Sequence, residues 1–140
     1  MDTIFSHIPA IRHEGPETRN PLAFRYYQKD QMVLGKRMED QLRCAVCYWH
    51  SFAWNGADVF GAGTFGRPWH QMANPLEAAE LKMRNAFDFF EKLGAPFWPF
   101  HDADIAPEGK TLKESHANLD RLVGLAESEM ARTGVKLLWG

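Results

Sequence analysis

The sequence contains only two cysteines among 140 residues, Cys44 and Cys47. Small secreted domains that depend on disulfides are rich in cysteine, so this protein is not one of them. The C-x-x-C spacing is typical of a redox pair or of half a zinc site, but the sequence has no second pair to complete four ligands. Cys44–Trp49 is predicted to be a strand, in which an odd separation turns the two side chains to opposite faces. We therefore interpret both cysteines as small structural side chains.

Long apolar runs and clusters of basic residues are also missing. No stretch reaches the roughly 20 apolar residues of a membrane-spanning helix. The first twenty residues carry charges such as Arg12 and Glu14 in place of the apolar core of a signal peptide. The 16 basic and 18 acidic residues give a formal charge of −2, without the basic patch that binds a phosphate backbone. We expect a cytoplasmic protein that binds neither nucleic acid nor membrane.

The chain has 45% hydrophobic residues, which is enough for the core of one domain of this length. Prolines and glycines interrupt the first part of the chain, and we expect residues 1–43 to form an extended arm that lies on a larger body. Asp30 is predicted to cap a short helix between Met32 and Leu42, although Gly35 weakens the middle of that helix.

After the arm, predicted strands and helices alternate. Asn74 and Thr111 resemble helix N-caps, because each is followed three residues later by a glutamate, and Gly94 and Gly134 lie where the apolar stripes stop. The predicted order is a strand at about 43–49, a long glycine-rich and aromatic connection at 50–73, a helix, a strand at 95–100, a second helix and a strand at 135–139. Alternation of this kind predicts an α/β fold, with helices packed outside a parallel sheet.

The last predicted strand, Val135–Trp139, is apolar and lies at the end of the sequence. A strand in that position would leave its outer edge unpaired. We therefore expect residues 44–140 to be the first β-α-β-α-β part of a larger α/β protein, three parallel strands and two helices of an eight-stranded barrel of about 250 residues or more.

The segment His101-Asp102-Ala103-Asp104 directly follows the apolar strand at 95–100. α/β folds place their chemistry at the carboxyl ends of such strands. A histidine moves protons near neutral pH, and a carboxylate that accepts one ring proton fixes its tautomer. Either Asp102 or Asp104 fits that role. A divalent-metal site with an incomplete ligand set, and a structural histidine with a helix-capping aspartate, remain alternatives.

Two further features lie around this segment. Gly61–Gly66 matches G-x-G-x-x-G, the motif of a nicotinamide-dependent oxidoreductase, but the predicted strand ends about twelve residues earlier and Arg67-Pro68 follows in place of a helix. We interpret these glycines as loop residues. Aromatic residues that pack against the C–H faces of sugars are plentiful at the predicted strand ends; they are Trp49, Trp54, Phe60, Trp98 and Trp139. His50, His70 and His116 have no evident partners.

Several segments together resemble xylose isomerase of the longer-armed class. The resemblance spans nearly the whole chain and is carried by Asn20–Phe24, Gly35–Glu39, Tyr48–Gly61, Arg67-Pro68-Trp69, Phe100–Gly109 and Gly134–Gly140. It implies a (β/α)₈ TIM barrel that acts as a homotetramer, with two divalent cations such as Mg²⁺. The implied reaction is the isomerisation of D-xylose to D-xylulose by a metal-assisted hydride shift between C1 and C2.

The resemblance also implies roles for five residues. His101 matches the residue that assists opening of the sugar ring, and Asp104 the carboxylate that orients it. Trp49 and Trp139 match residues that line the sugar pocket, and Phe60 matches an aromatic side chain that reaches into the site of a neighbouring subunit. The metal ligands and the catalytic lysine of the family come from later strands, so we expect residues 1–140 alone to be inactive. A non-catalytic association module is the remaining alternative.

Overall fold

The computed structural model describes residues 3–140. Within this range the chain forms four short strands and four α-helices, together with one π-helical and one 3₁₀ turn. In chain order they are β1 (Met32–Val33), β2 (Lys36–Arg37), α1 (Met38–Gln41), the π-helical turn Trp49–Ala53, the 3₁₀ turn Pro68–Gln71, α2 (Pro75–Leu93), β3 (Phe97–Pro99), α3 (Asp102–Ile105), α4 (Leu112–Thr133) and β4 (Lys136–Trp139).

The two long helices begin and end as their sequences predict. The Asn74 side chain accepts hydrogen bonds from the amides of Leu76 and Glu77, at 3.0 and 3.4 Å. The Thr111 hydroxyl accepts one from the amide of Glu114, at 3.2 Å. α2 ends at Gly94 and α4 at Gly134, and both glycines adopt the left-handed conformation, with φ of 72° and 77°. Side-chain caps at the start and glycines at the end therefore fix both helix boundaries.

The parallel arrangement of the predicted strands is confirmed. β3 pairs with β4 in parallel, and on its other edge Phe97 forms a parallel bridge with Ala45. The Val46 amide donates to the Phe97 carbonyl at 3.0 Å. Three parallel segments thus lie side by side in the order of the sequence, with β3 in the middle. This is an α/β arrangement; closure into a barrel remains a prediction.

The predicted first strand at 43–49 is wrong in its second half. Pairing is confined to Ala45 and Val46, and the chain then turns into the π-helical turn Trp49–Ala53. Tyr48 and Phe52, four residues apart, are both buried, with exposures of 0% and 2%. Side chains four residues apart share a face in a helix and in a strand alike, but here the Trp54 amide donates to the Trp49 carbonyl, five residues back, at 2.7 Å, so the main chain is π-helical. Neither cysteine is buried, since Cys44 is exposed and Cys47 half-buried, so neither acts as a core side chain.

The short helix predicted between Met32 and Leu42 is also wrong in its first half. β1 and β2 instead form an antiparallel hairpin, and α1 begins only at Met38. Leu34 and Gly35 both have positive φ, 49° and 81°. A two-residue turn with positive φ at both positions matches the twist of a hairpin, so the glycine that would weaken a helix here forms the turn.

The arm packs against α2. The main-chain amide of Ile4 donates to the Asn85 side chain at 2.8 Å, and the ring of Phe5 lies 5.3 Å from that of Phe89. Lys92 donates to the main-chain carbonyl of Phe5. The opposite face of α2 packs on α4 and on the core, whose largest buried members are Trp98, Tyr48, Phe87, Phe90, Met83, Ile105 and Leu122. α2 therefore connects the arm to the core.

Candidate active site at the carboxyl ends of the parallel strands

His101 and Asp104 form a hydrogen-bonded pair just beyond β3. Nδ1 of His101 lies 2.9 Å from Oδ2 of Asp104. The same carboxylate oxygen accepts a hydrogen bond from the main-chain amide of His101 at 3.2 Å. This bond is the carboxylate half of a capping box at the start of α3. The His101 side chain is 54% exposed and the Asp104 side chain 19% exposed. The imidazole is thus half-exposed and is held by a carboxylate that is more deeply buried.

The structure also decides between the two aspartates. Asp102 is exposed, and its side chain accepts a hydrogen bond from the neighbouring Ala103 amide at 2.8 Å. Because α3 begins at Asp102, the carboxylate three residues after His101 is the one that turns back toward the ring. Asp104 is therefore the partner of His101, and the pair also contains the helix cap that the sequence offered as an alternative.

Trp49 and Trp139 lie against the ring of His101. The ring centroids of Trp49 and His101 are 4.5 Å apart, those of Trp139 and His101 5.4 Å, and those of the two tryptophans 5.2 Å. Trp49 follows the Ala45 segment and Trp139 is the last residue of β4. The carboxyl ends of three adjacent parallel segments thus bring together two indoles, an imidazole and a carboxylate.

An open cleft of about 560 Å³ adjoins this cluster. It is lined by Trp49, His50, Ala53, Trp54 and Asp104. Its size falls within the range of small-molecule sites. His50, for which sequence analysis found no partner, has its ring between two indoles, with centroids 5.8 Å from that of Trp49 and 6.1 Å from that of Trp54.

Lys82 contacts the main chain of the same cluster. It lies on α2, and its ammonium group donates a hydrogen bond to the main-chain carbonyl of Asp104. Nζ also lies 5.5 Å from the centroid of the Tyr48 ring. Burial lowers the pKa of Lys82, and the Asp104 carboxylate partly opposes that shift. Burial raises the pKa of Tyr48 well above its ordinary value.

Sequence reasoning missed Lys82, although one signal was present. Ala79, Lys82, Met83 and Ala86 follow the i, i+3, i+4, i+7 spacing of a buried helix face, and the other three are buried. A lysine within an apolar stripe needs a polar partner for its head group. The pattern alone, however, gives no indication that this partner is on α3.

Phe60 does not join the cluster. It lies in the turn between Asp58 and Gly61, and its side chain is 93% exposed. The structure therefore brings together four of the five residues that the resemblance assigns to the site, and leaves the fifth on the surface. His70 is also outside the cluster, with Nδ1 3.2 Å from the Phe65 carbonyl.

The glycines at 61–66 belong to a packed surface loop. They are followed by the 3₁₀ turn Pro68–Gln71, and the next α-helix begins only at Pro75. A side chain at Gly63 would meet the Asn55 side chain at 2.6 Å, so this glycine permits a close approach within the loop. The helix N-terminus that receives a pyrophosphate in dinucleotide sites is not present beside this motif.

The donor set of the described part of the chain does not fit a metal site. Among residues 3–140, no group of three or more histidine, cysteine, aspartate or glutamate side chains is arranged to hold an ion. His101 and Asp104 instead satisfy each other. A search of the same residues for a helix long and apolar enough to cross a membrane finds none.

Comparison with curated proteins gives close matches along the whole chain. It is 55% identical over 136 residues to a xylose isomerase of Paraburkholderia phymatum, which is 97% of this chain and 31% of that protein. It is 53% identical over 140 residues to xylose isomerases of Salmonella paratyphi A and Salmonella newport, of which it covers 33% and 32%. The chain thus spans about a third of the length of these relatives, and no family model matches it. The resemblance that the sequence motifs indicate is confirmed.

Proposed function

We infer that the chain belongs to the xylose isomerase family and forms part of a longer enzyme, the full-length protein, that converts D-xylose to D-xylulose. The observation that carries this proposal is the identity of more than half the residues along the whole chain. The cluster of His101, Asp104, Trp49 and Trp139 supports it, because a proton-transfer pair beside aromatic rings suits a cyclic sugar.

His101 is proposed to assist opening of the sugar ring. Ring opening of a cyclic aldose removes a proton from the hydroxyl group at C1 and delivers one to the ring oxygen. The Asp104 carboxylate is proposed to accept a hydrogen bond from Nδ1–H of His101, which leaves Nε2 of the same ring to exchange a proton with the sugar. Asp104 is thus proposed to orient the imidazole and to select its tautomer.

Trp49 and Trp139 are proposed to form the apolar sides of the sugar pocket. Their rings lie 5.2 Å apart beside His101, so a sugar placed there would pack its C–H faces against indole. Excluding water from this side strengthens the hydrogen bonds of the imidazole. Phe60 is proposed to act in a neighbouring subunit of a cytoplasmic homotetramer, which suits a phenylalanine that is 93% exposed here.

The isomerisation step itself is assigned to other parts of the full-length protein. The resemblance implies two Mg²⁺ ions, which would polarise the sugar oxygens during the hydride shift. Residues 3–140 offer no cluster that fits such ions. We therefore assign to this chain the ring-opening pair and part of the pocket, within a (β/α)₈ barrel completed by the rest of the protein.

The test compares the full-length protein with residues 1–140 alone. Both are purified, and xylulose formation from D-xylose is measured with and without Mg²⁺. We expect metal-dependent activity from the full-length protein and none from residues 1–140. An inactive full-length protein with bound Mg²⁺ would refute the function. Metal-dependent activity of residues 1–140 would refute the assignment of the isomerisation step to other parts of the protein. His101→Asn serves as the control that links the activity to this site.

A further inference from the structure

We propose that Lys82 is a positioning residue of this site: its ammonium group holds the main chain of α3, and with it the Asp104 carboxylate, in place against His101. The inference rests on the function proposed above, because positioning matters only if His101 transfers protons. It concerns a residue on a different helix from the pair, and one that does not touch the cleft.

α3 needs such support because it is only four residues long. A helix of one turn has no stability of its own, since forming the first turn costs more than one hydrogen bond returns. The last carbonyls of a helix also lack partners within it. Lys82 supplies one of those partners by donating to the Asp104 carbonyl. Ile105, with an exposure of 1%, anchors the next residue in the core.

The direction of approach makes Lys82 a support and not a reacting group. The cleft beside His101 is lined by Trp49, His50, Ala53, Trp54 and Asp104, without Lys82. Lys82 lines a neighbouring cavity of about 310 Å³, which shares Ala53 and Asp104 with the cleft. Its only hydrogen-bond acceptor among residues 3–140 is the Asp104 carbonyl. The ammonium group therefore acts on the site through the main chain.

Lys82 also contacts the segment that carries the other side of the pocket. Its Nζ lies 5.5 Å from the centroid of the Tyr48 ring, and Tyr48 is fully buried directly before Trp49. A cation over an aromatic face is attracted to it, more strongly when both are shielded from water. One ammonium group thus connects α2 to the segments of both Asp104 and Trp49, and so fixes their separation.

A lysine in an apolar stripe is costly, which argues that its charge has a use here. Burial of the ammonium group lowers its pKa, so the charged form is less favourable than in water. Methionine has a similar shape and would fill the same space without that cost. The difference between the two side chains is the hydrogen bond to α3 and the attraction to Tyr48.

The experiment compares Lys82→Met with Lys92→Met in the full-length protein. Lys92 is a matched control, because it lies on the same helix and also donates to a main-chain carbonyl, but that carbonyl is Phe5 in the arm. We expect Lys82→Met to lower kcat/KM for D-xylose about tenfold, since small displacements of a catalytic group are costly. Lys92→Met should change it less than about twofold, and Lys82→Arg should retain most of the activity because it keeps the charge and the donor.

A double-mutant cycle with Asp104→Asn separates positioning from general destabilisation. If Lys82 acts through Asp104, adding Lys82→Met to Asp104→Asn should cost less than about twofold more. A loss that remains about tenfold in that background would overturn the proposal, as would a Lys82→Met variant with wild-type kcat/KM. Should Lys82→Met not fold, the shorter and neutral Lys82→Gln takes its place in the same cycle, with the same outcomes.

Hydrogen exchange gives a readout that does not depend on activity. Lys82→Met should speed amide exchange in the peptide covering residues 100–107, and Lys92→Met should speed it in residues 3–11 instead. If the wild-type protein does not isomerise xylose, the proposed function fails, and the exchange result alone still decides whether Lys82 holds α3. If wild type is active and exchange at 100–107 is unchanged, the function stands and the inference about Lys82 is overturned.

Discussion

Replacing Asp104 by asparagine tests the proposed proton-transfer pair most directly. Asparagine has nearly the same shape, so α3 and the pocket keep their packing. The 2.9 Å contact between Nδ1 of His101 and Oδ2 of Asp104 changes from a charge-assisted hydrogen bond to a neutral one. An amide that presents its NH₂ group to Nδ1 would in addition favour the wrong tautomer of the imidazole.

The expected size of the effect follows from the bond and from its exposure. A hydrogen bond to a charged group contributes about 1.5–3 kcal/mol, against about 0.5–1.5 kcal/mol for a neutral one. Because the His101 side chain is 54% exposed, water screens part of the difference, and we take about 1 kcal/mol. That corresponds to about a fivefold fall in rate, and the wrong tautomer adds to it. We therefore expect kcat/KM for D-xylose to fall at least about fivefold in the full-length protein.

Asp102→Asn is the matched control for this prediction. It removes the same charge two residues away. In the structure the Asp102 side chain accepts a hydrogen bond from the Ala103 amide and not from His101. We expect less than about a twofold change in kcat/KM, measured as xylulose formed at several substrate concentrations. Equal losses in the two variants, or an unchanged Asp104→Asn enzyme, would contradict the role given to the pair.

Three further predictions follow from burial, capping and charge. Tyr48→Phe should raise the free energy of unfolding by about 1 kcal/mol in denaturant titrations, because it removes a buried hydroxyl that has no partner among residues 3–140; a loss of stability would mean that another group accepts this bond. Asn74→Ala should cost about 1 kcal/mol at the start of α2, seen as roughly fivefold faster amide exchange at Leu76 and Glu77, and unchanged exchange there would refute the cap. Burial lowers the pKa of Lys82 in the folded protein, so the unfolded chain binds more protons between that lowered pKa and the ordinary value of 10.5. The contribution of Lys82 to the free energy of unfolding should therefore increase as the pH rises through that window. Denaturant titrations at several pH values should show this increase in the wild-type protein and not in Lys82→Met.

The parts of the fold that could be predicted from sequence are those fixed by neighbours in the chain. α2 and α4 were predictable because their caps and terminal glycines lie within a few residues of the boundaries they set. β3 and β4 were predictable from apolar runs. The hairpin at Leu34-Gly35 was not, since a glycine after a short apolar segment is compatible with both a weak helix and a tight turn until the pairing partner is known.

In the candidate site, too, contacts between near neighbours in the chain could be predicted and contacts between distant residues could not. The pairing of His101 with Asp104 spans three residues, so the sequence indicated a histidine with a carboxylate partner and left only the choice of aspartate open. Lys82 and Asp104 are 22 residues apart, and their contact depends on how α2 packs behind α3. The helical turn at Trp49 likewise depends on burial of Tyr48 and Phe52, which a strand-like sequence of aromatic residues conceals.

The arm on the outer face of α2 has a consequence for attempts to shorten the protein. Removing the residues around Ile4 and Phe5 would strip the Asn85 amide oxygen of its donor, although that side chain is completely buried. It would also expose the ring of Phe89, which Phe5 now covers. A shortened protein would therefore have an unpaired polar group at Asn85 and a newly exposed apolar surface at Phe89. We expect it to aggregate unless both residues are also replaced.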